Sequence, residues 1–463
     1  MRARSIVAPS LLLLAACGGG GTGQEGDDAS TGITMTSTGI TSASESNSAS
    51  GETGNSTGDG DGDGESTTTD STTTDSTTTG NTSGNTSGPS PKFDLGEVPD
   101  AAAGDCGSGG DGDIEWSNIW ISNSPQGTVS KIDTMSAVEL ARYSVGPGAD
   151  PSRTSVNLLG DAVVVDRNGG IMKVAAQVED CVDLNNNNQI ETSQGPNDVL
   201  AWGTDECVLW HKPLPSSGNR GPRPVAWEGQ VDNQDCVTEQ PRVWVGHYHQ
   251  SENKGMFYRL DGENGDTLDM VEHPWSGNSY GPYGGAVNGE GDFFVLGWSS
   301  GPLIRIDADD LTVTEWSVPN SFVYGMTVDQ NGNVWVAGSS TYHRFDVENE
   351  TWTSGNSGSS MRGMAAHPDG YIWIADPGGV VKVDMDTAQV IQDLALPGVS
   401  SPVGVSVDPQ GFVWLVDRTG SKAVKVDAET HQVVAETLGL VSPYTYSDMT
   451  GGGLNLVAGG PQG

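Results

Sequence analysis

The chain has 463 residues, of which 66 are glycine and 34% are hydrophobic, a composition that suits short strands joined by tight turns better than a helical protein. Its 61 acidic and 21 basic residues give a formal net charge of −40, which disfavours nucleic acid and anionic membrane surfaces as partners. We therefore expect few helices and no nucleic-acid partner, and we ascribe the acidic surface to solubility outside the cell, with cation binding as the alternative.

The N-terminus predicts export. Arg2 and Arg4 precede an apolar run over residues 6–16, which is too short to span a hydrocarbon core of about 30 Å and is typical of a signal peptide. The ending Leu14-Ala15-Ala16-Cys17 resembles the lipobox of bacterial lipoproteins, which implies removal of residues 1–16 and a diacylglyceryl group on Cys17. An ordinary secretory signal with a chance cysteine is the alternative. Because Gly18 follows the cysteine, we expect outer-membrane or cell-surface sorting, with the lipid as the membrane contact.

Residues 17–91 form the predicted linker. They are mostly Ser, Thr, Gly, Asp and Asn, and such a segment has too little apolar surface to offset the entropy of ordering. We expect a disordered stalk that holds the remainder, residues 92–463, away from the membrane. The Asp-Gly run over residues 59–64 has no scaffold to fix its carboxylates, so we interpret it as part of the stalk.

Four cysteines remain after Cys17. An even number in an exported chain favours two disulfides, and four cysteines allow three pairings. Cys181 and Cys207 lie in one insertion, at about residues 178–215, and we expect them to pair, which leaves Cys106 with Cys236. A thiol–metal site is the weaker alternative because no CxxC pair occurs.

A repeat occupies the C-terminal half of the chain. Four segments open with a glycine that is followed seven positions later by a second glycine and ten positions later by an aromatic residue. The four aromatics are Phe294, Trp335, Trp373 and Trp414. After each comes an alternating run that ends in aspartate, at Asp307, Asp346, Asp384 and Asp427, with spacings of 39, 38 and 43 residues. A period of roughly 40 residues matches one four-stranded blade of a β-propeller.

Three further units precede these four and bring the number to seven. They surround Trp120, Val164 and Trp244. A single blade cannot bury both of its faces, whereas blades stacked in a circle can, with the aromatic side chains between neighbours. We therefore predict an all-β, seven-bladed β-propeller. Because the first unit lacks its innermost strand, we expect a C-terminal strand after Pro443 to close the ring beside Trp120.

The blade pattern resembles a known group of propellers. The pattern is similar to that of virginiamycin B lyase and its relatives over about residues 114–460. It consists of a glycine, a second glycine seven positions later, a [VI]-W-[VIL] triplet and a closing [KR]-[VI]-D. The segments WIADPGG and WLVDRTGSK are more distantly similar to NHL-repeat propellers. The lyase resemblance implies a magnesium-assisted elimination, with a histidine as general base and an acidic residue that orients the metal.

The position three residues after each blade aromatic predicts a ring of polar side chains at one mouth of the central channel. It holds Asn123, Asp376 and Asp417, with His247 at the same place in the third unit, and Asp166 holds the comparable place after the valine run of the second unit. If these side chains share one face, their oxygens suit Mg²⁺ or Ca²⁺. The alternative, which hairpin chemistry favours, is that each aspartate caps its own turn.

His247 and His249 are the histidines that stand closest together. They lie two residues apart, so on a strand both would face one side and could bind one ion. Together with Asp376 and Asp417 they are the candidate catalytic residues. A pair of loop histidines at the edge of a blade is the alternative.

The insertion contains a candidate calcium loop. Asp183, Asn185 and Asn187 occupy positions 1, 3 and 5 of an EF-hand-like pattern, and Gln189 offers its carbonyl at position 7. Asn188 replaces the turn glycine of the pattern and tolerates positive φ. With so few carboxylates we expect a weak structural Ca²⁺ site, and an Asx-rich turn without metal is the alternative.

Two functions are compatible with these features. The first is a non-enzymatic, monomeric surface propeller that binds an extracellular protein, peptide or glycan. The second is a lyase-like or hydrolytic propeller that uses a divalent ion in the channel. We favour binding, because the repeat residues are packing positions that propellers of many functions share. A histidine and an acid within about 3–4 Å of one ion position would favour the enzyme.

Overall fold

The structure is a computed structural model that describes residues 117–217, 220–229, 241–275, 280–319 and 322–458. The predicted signal peptide, the lipidation site Cys17, the linker over residues 17–91, and the cysteines Cys106 and Cys236 lie outside these ranges.

The described residues form seven antiparallel sheets in chain order. The first has β1 (Asn118–Asn123), β2 (Thr128–Asp133) and β3 (Val138–Ser144), and the second has β4 (Pro151–Val156), β5 (Ala162–Asp166), β6 (Gly170–Val174) and β7 (Val208–Pro213). The third has β8 (Val225–Trp227), β9 (Arg242–His249), β10 (Lys254–Asp261) and β11 (Thr267–Pro274), and the fourth has β12 (Pro282–Val287), β13 (Phe293–Gly297), β14 (Leu303–Ile306) and β15 (Val313–Trp316). Two 3₁₀ turns, Ser124–Gln126 and Val178–Asp180, interrupt the connections.

The last three sheets complete the ring. The fifth has β16 (Val323–Val328), β17 (Val334–Asp346) and β18 (Thr351–Ser360). The sixth has β19 (Met364–His367), β20 (Tyr371–Asp376), β21 (Gly379–Asp384) and β22 (Val390–Ala395), and the seventh has β23 (Pro402–Val407), β24 (Val413–Asp417), β25 (Lys422–Val426) and β26 (Val433–Leu438). The long strand β17 has Ser340 at φ +71° near its middle, and its two halves pair with different neighbours, β16 and β18. The predicted seven-bladed propeller is confirmed.

The repeat aromatics bury themselves between neighbouring blades. Trp120, Trp244, Phe294, Trp335, Trp373 and Trp414 are all fully buried. Trp335 of the fifth sheet lies in one cluster with Ile372 of the sixth, and Trp373 of the sixth lies with Leu415 of the seventh. Because removing such a side chain costs about 3–5 kcal/mol, these contacts hold the ring together.

Two kinds of repeat residue shape the turns. Asp408 accepts hydrogen bonds from the Trp414 indole nitrogen at 2.9 Å and from the backbone amides of Gln410 and Phe412, so it joins the turn to the core. Gly404 allows close approach of the inner strands, since a Cβ atom there would lie 1.8 Å from the Thr445 carbonyl oxygen. In this repeat the aspartate thus links the turn to the buried tryptophan, and the glycine makes room for the neighbouring inner segment.

The C-terminal segment closes the ring. Residues 443–449, the closing segment, run beside β1: the Trp120 amide donates to the Met449 carbonyl and the Tyr444 amide donates to the Ser122 carbonyl, both at 2.9 Å. This confirms the predicted closure. In addition to these two hydrogen bonds, Asn123 and Pro443 form a bridge, and the Ser122 amide donates to the Thr445 hydroxyl. The closing segment and β1 do not form a regular ladder.

A short helix follows the closing segment, which the sequence did not predict. Helix α1 (Gly452–Ala458) buries Leu454 and Val457, and the Asp448 carboxylate accepts the amides of Gly451 and Leu454 at its start. Within the described part of the chain, this helix is too short to cross a bilayer.

The insertion between β6 and β7 is fixed by the predicted disulfide, Cys181 with Cys207. Val182 donates its amide to the Glu206 carbonyl at 2.9 Å, and the Arg142 amide of β3 donates to the Ser193 hydroxyl at 2.9 Å. The insertion is therefore attached to the outer strand of the first blade.

Candidate functional site

The two ends of the central channel are built differently. The inner strands are β4, β8, β12, β16, β19 and β23 together with the closing segment. At the end where these strands finish, α1 packs its Leu454 and Val457 side chains into the core. A cavity of about 50 Å³ lies inside the channel and is lined by Ser155, Met326 and Leu454 among others, which is room for a few water molecules. Helix α1 therefore closes this end.

Four buried tyrosines meet at the opposite end, where the inner strands begin. Tyr283 and Tyr324 come from β12 and β16, and Tyr444 and Tyr446 come from the closing segment. The Tyr324 and Tyr446 rings are 4.8 Å apart and the Tyr283 and Tyr324 rings 5.6 Å apart. The Tyr444 hydroxyl is hydrogen-bonded to that of Tyr324 and lies 3.2 Å from that of Tyr283. Ring closure by the C-terminal segment therefore assembles this cluster.

Arg153 of β4 lies among these tyrosines. Its guanidinium carbon is 3.4 Å from the Tyr446 ring centre and 4.8 Å from that of Tyr283, and 1% of the residue is exposed. One nitrogen, Nη1, donates to the Ser152 carbonyl at 3.0 Å, whereas Nε and Nη2 are buried without a hydrogen-bond partner. Burial lowers the pKa of Arg153 to about 10, so the side chain is still a cation at neutral pH. We call Arg153, Arg223 and the four tyrosines the Arg–Tyr mouth.

Other arginines surround the same end of the channel. The Arg223 guanidinium lies 5.1 Å from the Tyr283 ring, and those of Arg167 and Arg418 lie 5.3 and 5.1 Å from the Tyr444 ring. Arg167 is paired with Asp150 at 2.5 Å. In a chain with a net charge of −40, these guanidinium groups are thus gathered at one end of the channel, where carboxylates such as Asp150 also lie.

Three half-buried aromatic rings form a rim beside the buried tyrosines. The Trp298 ring is 5.2 Å from Tyr280 and 5.4 Å from Phe322, and it also contacts Tyr283 at 4.5 Å. All three rim residues lie just before an inner strand or just after a second strand, at the same end as the Arg–Tyr mouth. Partly exposed aromatic rings offer flat apolar surface for contact with a ligand.

The predicted ring residues lie at this end but make local hydrogen bonds. Asp417 accepts the amides of Ser400, Ser401 and Gly420, and Asp166 accepts those of Asp150 and Asn168. Asp376 accepts the Ser359 hydroxyl, and burial raises the pKa of this carboxyl. The Asn123 side chain donates to the Ser130 hydroxyl at 2.8 Å and accepts the Val441 amide. The contacts of Asp166 with Asn168 and of Asp417 with Gly420 are turn caps of the kind that hairpin chemistry favours. The other contacts reach beyond the residue's own turn, as from Asp376 to Ser359.

The two candidate histidines differ in their surroundings. The His247 ring is buried and stacks on Tyr258 with ring centres 5.8 Å apart, and its Nδ1 is buried without a partner. Burial, with a smaller contribution from His249, lowers the pKa of His247 to about 4, so its imidazole is neutral at pH 7. His249 is half-buried, with its Nδ1 3.8 Å from a Glu252 carboxylate oxygen.

The insertion loop holds its candidate ligands close together. Asp183 accepts the backbone amides of Asn187 and Asn188, and these hydrogen bonds lower the pKa of its carboxyl. Asn188 has φ +63°, as expected for the residue that replaces the turn glycine. The side-chain amides of Asn185 and Asn187 both donate to Glu191, a residue that the sequence pattern did not single out. The backbone amide of Gln189 donates to Asn187 Oδ1 at 2.7 Å.

Within the described ranges, no three His, Cys, Asp or Glu side chains come close enough together to hold a metal ion. The candidate ligands of the insertion loop are of another kind, because most of them are asparagine side-chain oxygens or backbone carbonyl oxygens. Both metal sites, in the channel and in the insertion, therefore stay predictions.

The sequence analysis singled out none of the residues of the Arg–Tyr mouth, although a signal for Arg153 exists. Arg153 pairs with Val165 in the register in which Gly404 pairs with Val416. It therefore occupies the place of the glycine that opens the regular repeats, where a side chain would meet the neighbouring inner strand. The Arg153 side chain instead lies against tyrosine rings of β12 and of the closing segment.

Comparisons with known proteins support the fold. A family model described as "Two component regulator propeller" matches residues 317–340, a segment too short to assign a family. No curated protein matches the sequence. A solved protein of unknown function from Desulfotomaculum acetoxidans is 11% identical, with a TM-score of 0.51 over 71% of this chain and 98% of that one. Virginiamycin B lyase from Staphylococcus aureus is 13% identical, with a TM-score of 0.45 over 64% of this chain and 87% of that one.

The resemblance to virginiamycin B lyase-like propellers is thus confirmed as a likeness of fold. At these identities it carries no information about activity or ligand.

Proposed function

We propose that this chain is an exported, lipid-anchored protein whose β-propeller binds an extracellular ligand at the Arg–Tyr mouth. The observation that carries this proposal is the difference between the two ends of the channel. Helix α1 covers one end, and the other end combines the half-buried rim of Tyr280, Trp298 and Phe322 with buried tyrosines and arginines. Ligand sites in proteins commonly combine an apolar, aromatic lining with a few convergent polar groups.

The expected ligand is a protein, peptide or glycan outside the cell, and the expected state of the propeller is a monomer. A lipid on Cys17 and the linker over residues 17–91 would place the domain at an outer membrane or cell surface, at a distance set by the stalk. Aromatic rings suit such ligands because they bury large area with little loss of side-chain entropy.

A lyase-like reaction at the same end of the channel is the second candidate. The observation that favours it is the neutral, buried imidazole of His247, because only an unprotonated histidine can accept a proton. Such a reaction would need a divalent ion held by oxygen ligands such as those of Asp376 and Asp417. These two carboxylates bind neighbouring hydroxyl or amide groups, so we favour binding.

Ligand arrays test the proposal directly. The chain without its first 17 residues is applied to peptide and glycan arrays, and binding of each ligand found is measured for the original protein and for Trp298→Ala. We expect Trp298→Ala to weaken binding at least tenfold, about 1.4 kcal/mol.

The matched control is Trp316→Ala. Trp316 is also half-buried in the fourth blade, but it lies on the outer strand β15 and contacts Phe345. Binding that is equally sensitive to both substitutions, or to neither, would contradict a site at the Arg–Tyr mouth. Turnover of a ligand that depends on magnesium and on His247 would favour the lyase.

A further inference from the structure

The inference concerns the chemical class of the ligand, and it rests on the proposed binding role of the Arg–Tyr mouth. We propose that this mouth binds an oxyanion group, the carboxylate, phosphate or sulfate of a ligand, and that Arg153 is the residue that binds it.

The first reason is that Arg153 is a buried cation that forms no ion pair with a carboxylate of the described residues. Among the residues that the structure describes, its only hydrogen bond is to the Ser152 carbonyl. A buried arginine is ordinarily paired, because removing a charge from water costs several kcal/mol unless a counter-charge and hydrogen bonds replace the water. The tyrosine rings offset part of this cost through cation–π contacts, which contribute about 0.5–2 kcal/mol each.

The second reason is the pattern of unused donors. Nε and Nη2 of Arg153 are buried without a partner, and the Tyr446 hydroxyl is also buried without one. Nε and one terminal nitrogen of a guanidinium form the fork that binds both oxygens of a carboxylate or phosphate. The Tyr446 ring lies against this guanidinium at 3.4 Å, so stacking holds the fork, whose two N–H groups have no partner among the described residues.

The third reason is the arrangement of charge along the mouth. Tyr444 has three guanidinium groups within 6.0 Å of its ring, those of Arg153, Arg167 and Arg418. Arg418 is half-buried, Arg167 is 5% exposed and Arg153 is 1% exposed. Guanidinium groups thus extend from half-buried Arg418 to the buried fork of Arg153, and although Arg167 is paired with Asp150, this distribution of charge favours an anion beside the fork.

A purely structural role for Arg153, as a cation that fills space between tyrosines, predicts a different outcome. In that case removing the charge would weaken the mouth and anions would have no specific effect. If Arg153 is a ligand-binding group, Arg153→Met keeps the stem and removes only a charge that is unpaired without ligand. Replacing such a buried charge by an apolar side chain of similar size is often neutral or stabilising.

The experiment measures the melting temperature of the chain without its first 17 residues in inorganic phosphate, sulfate or acetate, against chloride at equal ionic strength. We expect at least one oxyanion to raise the melting temperature, and its calorimetric Kd to be at least tenfold weaker for Arg153→Met. Without oxyanion, Arg153→Met should melt at or above the temperature of the original protein.

The control is Arg344→Met, since Arg344 also lies over a tryptophan, at 6.0 Å from Trp335, but donates to the carbonyls of Met385 and Asp386. This variant should keep the full response to oxyanions. An identical response of the original protein and Arg153→Met, or no response to any of the three anions, would overturn the inference.

A second measurement covers the case in which Arg153→Met does not fold. Crystals of the unsubstituted protein soaked in selenate should give an anomalous peak within hydrogen-bond distance of Arg153 Nε or Nη2, and a map without such a peak would overturn the inference. The two proposals fail separately. If array ligands bind through Trp298 but no oxyanion has an effect, the proposed binding function stands and this inference fails. If anions bind through Arg153 but the arrays give no ligand, this inference stands and the proposed binding function lacks support.

Discussion

Removal of the C-terminal segment should unfold the propeller. Deleting residues 443–463 takes away five large hydrophobic side chains that are at most 7% exposed, namely Tyr444, Tyr446, Met449, Leu454 and Val457. Burying one such side chain contributes about 1.5–3 kcal/mol, so together they contribute about 8–15 kcal/mol. Because a whole domain is stable by only about 5–15 kcal/mol, we expect the truncated chain to lack a cooperative unfolding transition.

A shorter deletion separates ring closure from the helix. Deleting residues 452–463 removes Leu454 and Val457 but keeps the hydrogen bonds of Tyr444 and Met449 to β1. It should cost about 3–6 kcal/mol by the same area rule and leave a folded protein.

The assay is denaturation by guanidinium chloride, followed by tryptophan fluorescence, on the chain without its first 17 residues. The midpoint should fall for the shorter deletion, and the sigmoidal transition should vanish for the longer one. An unchanged midpoint after deletion of residues 443–463 would show that the stability of the ring does not depend on the closing segment, contrary to this prediction.

Other predictions concern single groups. Burial lowers the folded-state pKa of His247 to about 4 from an ordinary 6.5. The free energy of unfolding should therefore be highest above pH 6.5 and decline by about 3 kcal/mol as the pH falls to 4. In urea titrations at these pH values, His247→Gln should show a correspondingly smaller decline, and an equal decline would contradict the prediction. Calorimetry should detect weak Ca²⁺ binding that Asp183→Ala abolishes, and the absence of calcium heat in the original protein would exclude the insertion site. Reduction of the Cys181–Cys207 disulfide, whose cysteines are 26 residues apart, should lower stability by about 2–4 kcal/mol, with a Cys181→Ser, Cys207→Ser double variant unaffected by reductant. Cys17→Ala should move the protein from the membrane to the soluble fraction and abolish palmitate labelling, and retention in the membrane would exclude the lipid as its anchor.

The repeat made the fold predictable because each blade uses the same side chains for the same contacts. Trp335, Trp373 and Trp414 recur at one position, and each lies in a core that joins two blades. Ring closure was predictable for a similar reason, since the first blade lacked an inner strand and the C-terminus had one to supply. The Cys181–Cys207 pair followed from its place within one insertion.

Helix α1 was not predictable from local sequence. The helix begins at Gly452, so its first two residues are glycines, and glycine costs about 1 kcal/mol relative to alanine in a helix. The helix depends on tertiary contacts, namely the Asp448 cap and the burial of Leu454 and Val457. Neither contact has a short-range signal.

The candidate site was predictable in location but not in composition. The ring positions Asp166 and Asp417 lie at the end of the channel that holds the Arg–Tyr mouth, yet both carboxylates accept backbone amides there. The tyrosines and Arg153 come together only when the closing segment meets strands that are more than a hundred residues away. Such convergence depends on the closed ring, so no periodic pattern in the sequence marks it.

If the Arg–Tyr mouth is the binding site, ligand should protect this end of the channel and not the end covered by α1. Hydrogen–deuterium exchange of the lipid-free chain, with and without an array ligand, distinguishes the two ends. We predict slower exchange over residues 280–283, 322–324 and 443–446 and no change over residues 452–458. Protection confined to α1 or to the outer strands would contradict the claim.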